Sequence, residues 1–314
     1  MNCLVTGGAG FIGHNLVRTL LNEGHSVRVL DNYATGKRKN LDPYLNLIDH
    51  IEGDLRNFEV VREAAQDIEV IFHQGALGSV PRSIQDPLTS NQVNVNGTLH
   101  VLEAARHNGV RRVVYASSSS VYGHNPALPK NESMDPAPVS PYAVSKVAGE
   151  QYCRVFTHVY GLETVALRYF NVFGPGQDPD SAYAAVMPLF TTGFLNGTPI
   201  TVDGDGEQSR DFTFIDNVVH ANLCAANAAD ASGGAFNIAC GQRTTLNQVL
   251  DHLRTMTEVN TEIVYGPDRP GDVRHSLADI GRAQTALNYT PSVPLEAGLR
   301  STVEYYRSIV DNAG

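Results

Sequence analysis

The stretch Cys3-Leu4-Val5-Thr6-Gly7-Gly8-Ala9-Gly10-Phe11-Ile12-Gly13 decides the fold. Its first four residues read as a buried strand, and beyond the glycines Leu16, Val17, Leu20 and Leu21 fall at helical spacing. Gly8, Gly10 and Gly13 satisfy Gly-x-Gly-x-x-Gly, while Gly7, Gly10 and Gly13 satisfy the shifted Gly-x-x-Gly-x-x-Gly. Glycines here permit a tight turn and let a pyrophosphate approach the N–H groups of a helix N-terminus, where the dipole favours anions. Gly24 ends the helix, and the next strand, Ser26 to Leu30, stops at Asp31. That acid stands at the offset of about twenty residues expected for a carboxylate on a dinucleotide ribose. Strand, helix and acid together outweigh the bland reading, a glycine-rich turn without a ligand. A carboxylate on the ribose repels a 2'-phosphate, so NAD is expected over NADP, with Lys37 and Arg38 close by as the reservation.

Outward from this unit, short apolar runs recur at Leu47 to Glu52, Val70 to His73, Val113 to Ser117 and Thr164 to Arg168, most of them separated by helical stretches. Strand alternating with helix predicts an α/β fold, a doubly wound parallel sheet. From about Asn171 the texture changes to Gly, Pro and Asp, as in Gly174-Pro175-Gly176-Gln177-Asp178-Pro179, which predicts a smaller C-terminal substrate-binding lobe. Val218 to Ala229 is again apolar at helical spacing, and Ala235 to Ala239 is strand-like. The expected division is an NAD-binding domain over 1–170, to which the chain returns around 211–240, and a smaller domain over 171–210 and 241–314.

With 314 residues, 42% of them hydrophobic, the chain can bury a substantial core. Its formal charge of -10, without any cluster of Lys and Arg, weighs against nucleic acid or an anionic membrane as partner. The four cysteines, Cys3, Cys153, Cys224 and Cys240, contain no Cys-x-x-Cys pair; neither a metal site nor a disulfide framework is expected, and a reducing compartment suits them. The first apolar run meets glycines before it makes a signal-peptide core, and no run approaches a membrane span, so a cytoplasmic location is expected.

Tyr142-Ala143-Val144-Ser145-Lys146 places a phenol and an ammonium on one face of a helix. A free tyrosine ionises near pKa ~10, but an adjacent cation and the positive nicotinamide ring both favour the phenolate. Alone, Tyr-x-x-x-Lys is more often a solvated helix face. The run Ser117-Ser118-Ser119-Ser120, at the end of a predicted strand, shifts the balance, because a serine there can donate to a substrate oxygen while Tyr142 removes its proton.

Thr6 to Gly13, Gly53-Asp54-Leu55, Ser118 with Val121-Tyr122-Gly123, Tyr142 to Lys146, Arg168 to Gly174 and Ser209-Arg210-Asp211-Phe212 together resemble the extended short-chain dehydrogenase/reductases over almost the whole chain. Within that family the sequence is most similar to the UDP-N-acetylglucosamine 4-epimerases, through Ala76 to Ser83, Gln177-Asp178-Pro179 with Ala182 to Val186, and Gly271 to Ser276. The resemblance implies Ser118, Tyr142 and Lys146 as the catalytic trio. It implies an NAD pocket of Phe11, Ile12, Asp31, Asn32, Asp54, Leu55, Gln74, Ala76 and Phe170 beside Gly7, Gly10 and Gly13. For a UDP-sugar it implies Asn171, Arg210 and Arg269 at the diphosphate, Asp272 at the uridine ribose, and Ile200, Thr201 and Val202 at the uracil edge. Gly78, Ser79, Ala185 and Ser276 would face the sugar. Guanidinium forks suit a diphosphate in an otherwise acidic protein. A homodimer formed through helices of the first domain is also implied.

The activity so implied removes the proton of the sugar 4-hydroxyl with Tyr142, passes the C4 hydride to the nicotinamide, turns the 4-keto sugar over and returns the hydride, so NAD is regenerated. Dehydratases of the family carry an acidic pair just after the catalytic hydroxyl, where this chain has Ser119 and Ser120. A UDP-uronic acid 4-epimerase, a dehydratase or decarboxylase, and a non-catalytic NAD-binding protein stay open as alternatives, the last disfavoured by the presence of both Tyr142 and Lys146. The small residues expected around the sugar favour UDP-GlcNAc and UDP-GalNAc, alongside UDP-glucose and UDP-galactose.

Overall fold

The computed structural model describes residues 1–179, 185–268 and 273–313. Its strands run in chain order β1 (Asn2–Thr6), β2 (Ser26–Asp31), β3 (Ile48–Glu52), β4 (Val70–His73), β5 (Arg112–Ser118), β6 (Glu163–Tyr169), β7 (Val172–Phe173) and β8 (Ile200–Asp203). There follow β9 (Ser209–Arg210), β10 (Thr213–Phe214), β11 (Gly234–Ile238), β12 (Thr244–Thr245) and β13 (Ile263–Gly266). Seven of them form one parallel sheet in the order β11-β6-β5-β4-β1-β2-β3. Each strand-like run expected from sequence lies within one residue of an observed strand. The remaining six pair off as β7 with β10, β9 with β12 and β8 with β13.

Strand alternation sets the layers, because successive side chains point to opposite faces. Cys3 and Val5, Val70 and Phe72, Val114, and Val165 and Leu167 pack on one face with Leu16, Val17 and Leu20 of the helix Phe11–Asn22 and Val218 and Ala225 of the helix Ile215–Asn227. Leu4, Ile71, Val113 and Ala166 point the other way, toward the helices Phe58–Ala64, Gly97–His107 and Pro141–Tyr160. Each fully buried Val, Leu or Phe contributes roughly 1.5–3 kcal/mol. The first of these clusters does not stop at the sheet. It continues through Phe173, Phe212 and Phe214 to Phe190, Phe194, Val249, Leu253, Leu299 and Val303, so the C-terminal elements share one apolar core with the sheet.

The order of the sheet reverses between β1 and β4, since the chain proceeds to β2 and β3 on one side and to β5 and β6 on the other. In open α/β sheets the crevice outside the carboxyl ends of the strands at such a point receives ligands.

One polar network crosses the core beside that crevice. The helix Pro141–Tyr160 starts with a Ser140 cap and Pro141 in its first turn, and it ends at Gly161 in the left-handed region. Halfway along, Glu150 takes two hydrogen bonds from the Arg168 guanidinium, at 2.9 and 2.7 Å, and a third from the Ser117 hydroxyl. Arg168 also donates to the Tyr122 hydroxyl at 2.8 Å, and Tyr122 donates to Asn237 at 2.7 Å. All five residues are buried. No helix of the described residues is long and apolar enough to cross a membrane, and all four cysteines are free.

Candidate active site

The carboxyl ends of the central strands open into a cleft of about 560 Å³ lined from both sides of the reversal point. Its floor is the glycine turn after β1. Gly7 holds the left-handed φ of 69°, and a Cβ at Gly13 would lie 2.1 Å from the Gly7 carbonyl oxygen, so no side chain fits at either position. The helix that follows opens on Gly10 without a side-chain cap, and Phe11, Ile12 and Gly13 line the cleft with their backbone ends toward it. Such a terminus accommodates phosphate.

Asp31 closes β2 at 7% exposure. Its two oxygens accept the N–H groups of Ala9, at 2.9 Å, and Tyr33, at 2.7 Å. Burial pushes this carboxyl above its ordinary value while the two amide bonds pull it back. Asn32 donates to Asp54 at 2.8 Å, and Asp54 is held down at about 2, chiefly by the Arg56 guanidinium. Leu55, Gln74 and Ala76 complete this side of the lining. An uncapped helix end for a pyrophosphate and a buried carboxylate for a ribose fit NAD. Lys37 and Arg38, the reservation about NADP, are each held by an acid: Lys37 by Asp178 at 2.6 Å, Arg38 by Glu52 at 2.5 Å.

Phe170 is not brought to the cleft. Its ring is fully buried against Tyr122, centroids 6.2 Å apart, in a separate cluster with Val121, Ala239 and Ala278. Strand alternation explains this, because Tyr169 at the end of β6 takes the cleft side and its successor faces away.

Tyr142 and Lys146 stand one turn apart on the helix beginning at Pro141, and Ser118 ends β5 next to them. Burial pushes the Tyr142 phenol above its ordinary value, and a hydrogen bond with the Ser118 hydroxyl pulls it back. The Ser118 oxygen accepts the Ser120 N–H at 3.1 Å, which leaves its proton available to the phenol. Lys146, 3% exposed, donates to the Ala116 carbonyl at 2.7 Å, and its ammonium lies 5.8 Å from the Tyr142 ring centroid. Burial pushes Lys146 down to about 8, with the Glu150 carboxylate opposing. The lysine therefore faces the phenol across space rather than through a direct bond.

Sequence reading passed over Asn94, which lies buried in the π-helical turn Gln92–Asn96. Its side chain accepts the Leu77 N–H at 2.8 Å and donates to the Leu77 carbonyl at 3.2 Å and to Ser145 at 3.1 Å. Ser145 in turn donates to the Tyr142 carbonyl at 2.7 Å, and the Tyr142 N–H donates to Ser83 at 3.0 Å. Asn94 thus ties the Leu77 segment to the first turn of the catalytic helix.

Gly78, Ser79 and Ala185 line the same cleft. Asn171, at a left-handed φ of 34°, donates to the Asp211 carbonyl at 3.2 Å and is not among the lining residues. Arg210 and Ser276 also sit outside that lining but stand side by side: the Ser276 N–H donates to the Ser209 carbonyl at 2.9 Å, and Arg210 donates to the Arg274 carbonyl at 3.1 Å. Ile200 and Val202 bury their side chains in the core, which leaves Thr201 and the backbone of β8 exposed to any ligand. Arg269 and Asp272 lie outside the described residues.

Residues 3–239 match the model of the NAD dependent epimerase/dehydratase family. Over 312 residues the chain is 39% identical to UDP-glucose 4-epimerase of Mycolicibacterium smegmatis, covering 98% of this chain and 99% of that one. UDP-N-acetylglucosamine 4-epimerase of Methanobrevibacter ruminantium, solved in complex with UDP-N-acetylmuramic acid, superposes with a TM-score of 0.94 at 40% identity, over 98% of both chains. UDP-glucose 4-epimerase of Thermus thermophilus, solved as its NAD complex, gives a TM-score of 0.89 at 37% identity, over 98% of this chain and 99% of that one.

Asp31→Ala is expected to weaken NAD binding at least about tenfold, since hydrogen bonds to a charged group contribute roughly 1.5–3 kcal/mol. Calorimetric titration measures this, with a thermal melt to separate lost affinity from lost stability; an unchanged affinity removes Asp31 from the ribose.

Proposed function

Because the chain belongs to the NAD dependent epimerase/dehydratase family, we propose that it is a UDP-sugar 4-epimerase, inverting carbon 4 of a UDP-linked hexose through a 4-keto intermediate. The observation that carries this reading is the meeting of Ser118, Tyr142 and Lys146 beside the dinucleotide cleft, with hydroxyls at Ser119 and Ser120 where elimination chemistry needs an acid. NAD supplies reversible two-electron chemistry and ends each turnover as it began. Tyr142 takes the proton of the 4-hydroxyl as the C4 hydride leaves, and returns it to the same oxygen when the hydride comes back to the other face of C4. Ser118 donates to the same oxygen, and the charge on Lys146 favours the phenolate. With hydroxyls in place of carboxylic acids at Ser119 and Ser120, the keto sugar is left to return by reduction.

The substrates proposed are UDP-GlcNAc and UDP-GalNAc, with UDP-glucose and UDP-galactose as smaller alternatives. Gly78, Ser79 and Ala185 present little bulk to the cleft, and Ser276 stands beside Arg210. A second copy of the chain is the proposed protein partner. The outer face of the helix Pro141–Tyr160 exposes Val144, Val155 and Val159, the last two at 48% and 60%, and such an apolar stripe is unusual on a monomer.

Tyr142→Phe is expected to bind NAD normally and to lose turnover by roughly 10²–10⁴-fold, because the ring remains and the base is gone; near wild-type rates on a panel of UDP-hexoses would eliminate this base. Ser276→Tyr is expected to abolish conversion of UDP-GlcNAc and spare UDP-galactose, overpacking by even a methylene costing about 1–3 kcal/mol. Chromatography of the products reads it, and an unaltered UDP-GlcNAc rate takes Ser276 out of the pocket. For the dimer, the double substitution Val155→Lys with Val159→Lys is expected to halve the sedimenting mass, and a mass unaffected by both charges places the interface elsewhere.

A further inference from the structure

Two segments that leave the sheet on opposite sides of its reversal point meet at the cleft. Lys37 follows β2, Asp178 follows β6 and β7, and between β6 and β2 in the sheet lie β5, β4 and β1. Both residues line the cleft, and Lys37 Nζ lies 2.6 Å from an Asp178 carboxylate oxygen. Each end is anchored independently of the other. The Lys37 N–H donates to the Ala9 carbonyl at 3.1 Å, Asn40 donates to the same oxygen at 2.8 Å, and Gly36 lies so close to Ala9 that a Cβ would stand 2.8 Å from it. On the far side Asn15 donates to the Pro175 carbonyl at 3.3 Å, the His14 ring packs on Gly176, and the Tyr306 hydroxyl donates to the Gln177 carbonyl. Tyr305 of the C-terminal helix lies near enough to feel both charges.

We propose that the Lys37–Asp178 ion pair is a clasp that retains NAD, closing a ring of chain around the dinucleotide cleft. The inference rests on the epimerase reading and deepens it. An enzyme that regenerates its cofactor in every turnover gains nothing from releasing it, and losing the reduced form after the first half-reaction strands a keto sugar. The pair is partly exposed, with side chains 38% and 31% accessible, so it belongs to the class of ion pairs that salt screens and that contributes little to folding stability. What sets it apart is that the backbone on both sides is held by other contacts, so the pair joins two fixed segments.

The test is exchange of bound NAD in the purified holoenzyme against radiolabelled NAD, without sugar nucleotide, so that it reads retention alone; epimerisation is assayed separately. Asp178→Asn and, independently, Lys37→Met are expected to speed exchange about fivefold at low salt, the effect of the stronger exposed ion pairs. Roughly 0.5 M salt is expected to bring the unmodified protein toward the rate of the variants while leaving theirs unchanged. The exchanged pair, Lys37→Asp with Asp178→Lys, is expected to slow exchange again relative to either single change. Both single variants exchanging at the unmodified rate, or an exchanged pair as fast as the singles, would overturn the clasp. Loss of epimerisation with retention intact counts against the epimerase reading and not against this one.

Discussion

Everything at the reacting end of the molecule depends on one sheltered ion pair, Glu150 with Arg168, whose side chains are each 5% exposed. Two opposite charges withdrawn from water are tolerable only when each is met in full, and removing one partner of such a pair typically costs roughly 3–5 kcal/mol. Here Arg168 directs its donors to Glu150 and Tyr122, and Glu150 takes a further bond from Ser117. Through these contacts the helix bearing Tyr142 and Lys146 is fixed to β6 and β5, and through Asn237 to β11. The carboxylate has a second effect. It lies one turn beyond Lys146 and opposes the burial that lowers that lysine's hold on its proton. The group that positions the catalytic helix also maintains the charge the helix presents.

The acidity of the chain poses a question that the cleft answers. A protein with a formal charge of -10 binds a dinucleotide whose pyrophosphate carries two negative charges, without a field of surface cations. Peptide N–H groups at an uncapped helix end carry that part of the attraction, and they keep it at any pH at which the backbone is folded. Three basic residues on this side, Lys37, Arg38 and Arg56, are each paired with an acid of the protein itself. In the proposed site, discrimination at the ribose falls to the carboxylate of Asp31.

Local rules made the sheet legible. A strand, a glycine turn, a helix and an acid lie within the first 31 residues, and each later strand announces itself as a short apolar run bounded by polar residues. The proximity of Ser118, Tyr142 and Lys146, proposed here as the catalytic trio, was legible for the same reason, two of the three being a helical turn apart. What escaped depends on contacts between residues distant in sequence. Asn94 looks like any polar residue on a helix until Leu77 and Ser145 are folded against it. Phe170 sits inside a motif that marks the cofactor side, yet one step of strand alternation turns it into the core. Lys146 was expected as a cation adjacent to the phenol; that its ammonium is held by the Ala116 carbonyl no pattern of side chains reveals. The strands of two residues, β7, β9, β10 and β12, are too short to leave a periodic trace.

The apolar cluster that begins at Cys3 and ends at Val303 passes without interruption from the sheet into the C-terminal elements. Domains that swing against one another as rigid bodies meet through smaller and more polar interfaces, which can part without exposing a core. Among the described residues the apolar core runs across the place where such a seam would lie. For the epimerisation proposed here, a keto sugar that shows both faces to one cofactor turns within a cleft whose two sides are built on one core, so the width left by each lining side chain sets which sugars can complete the turn.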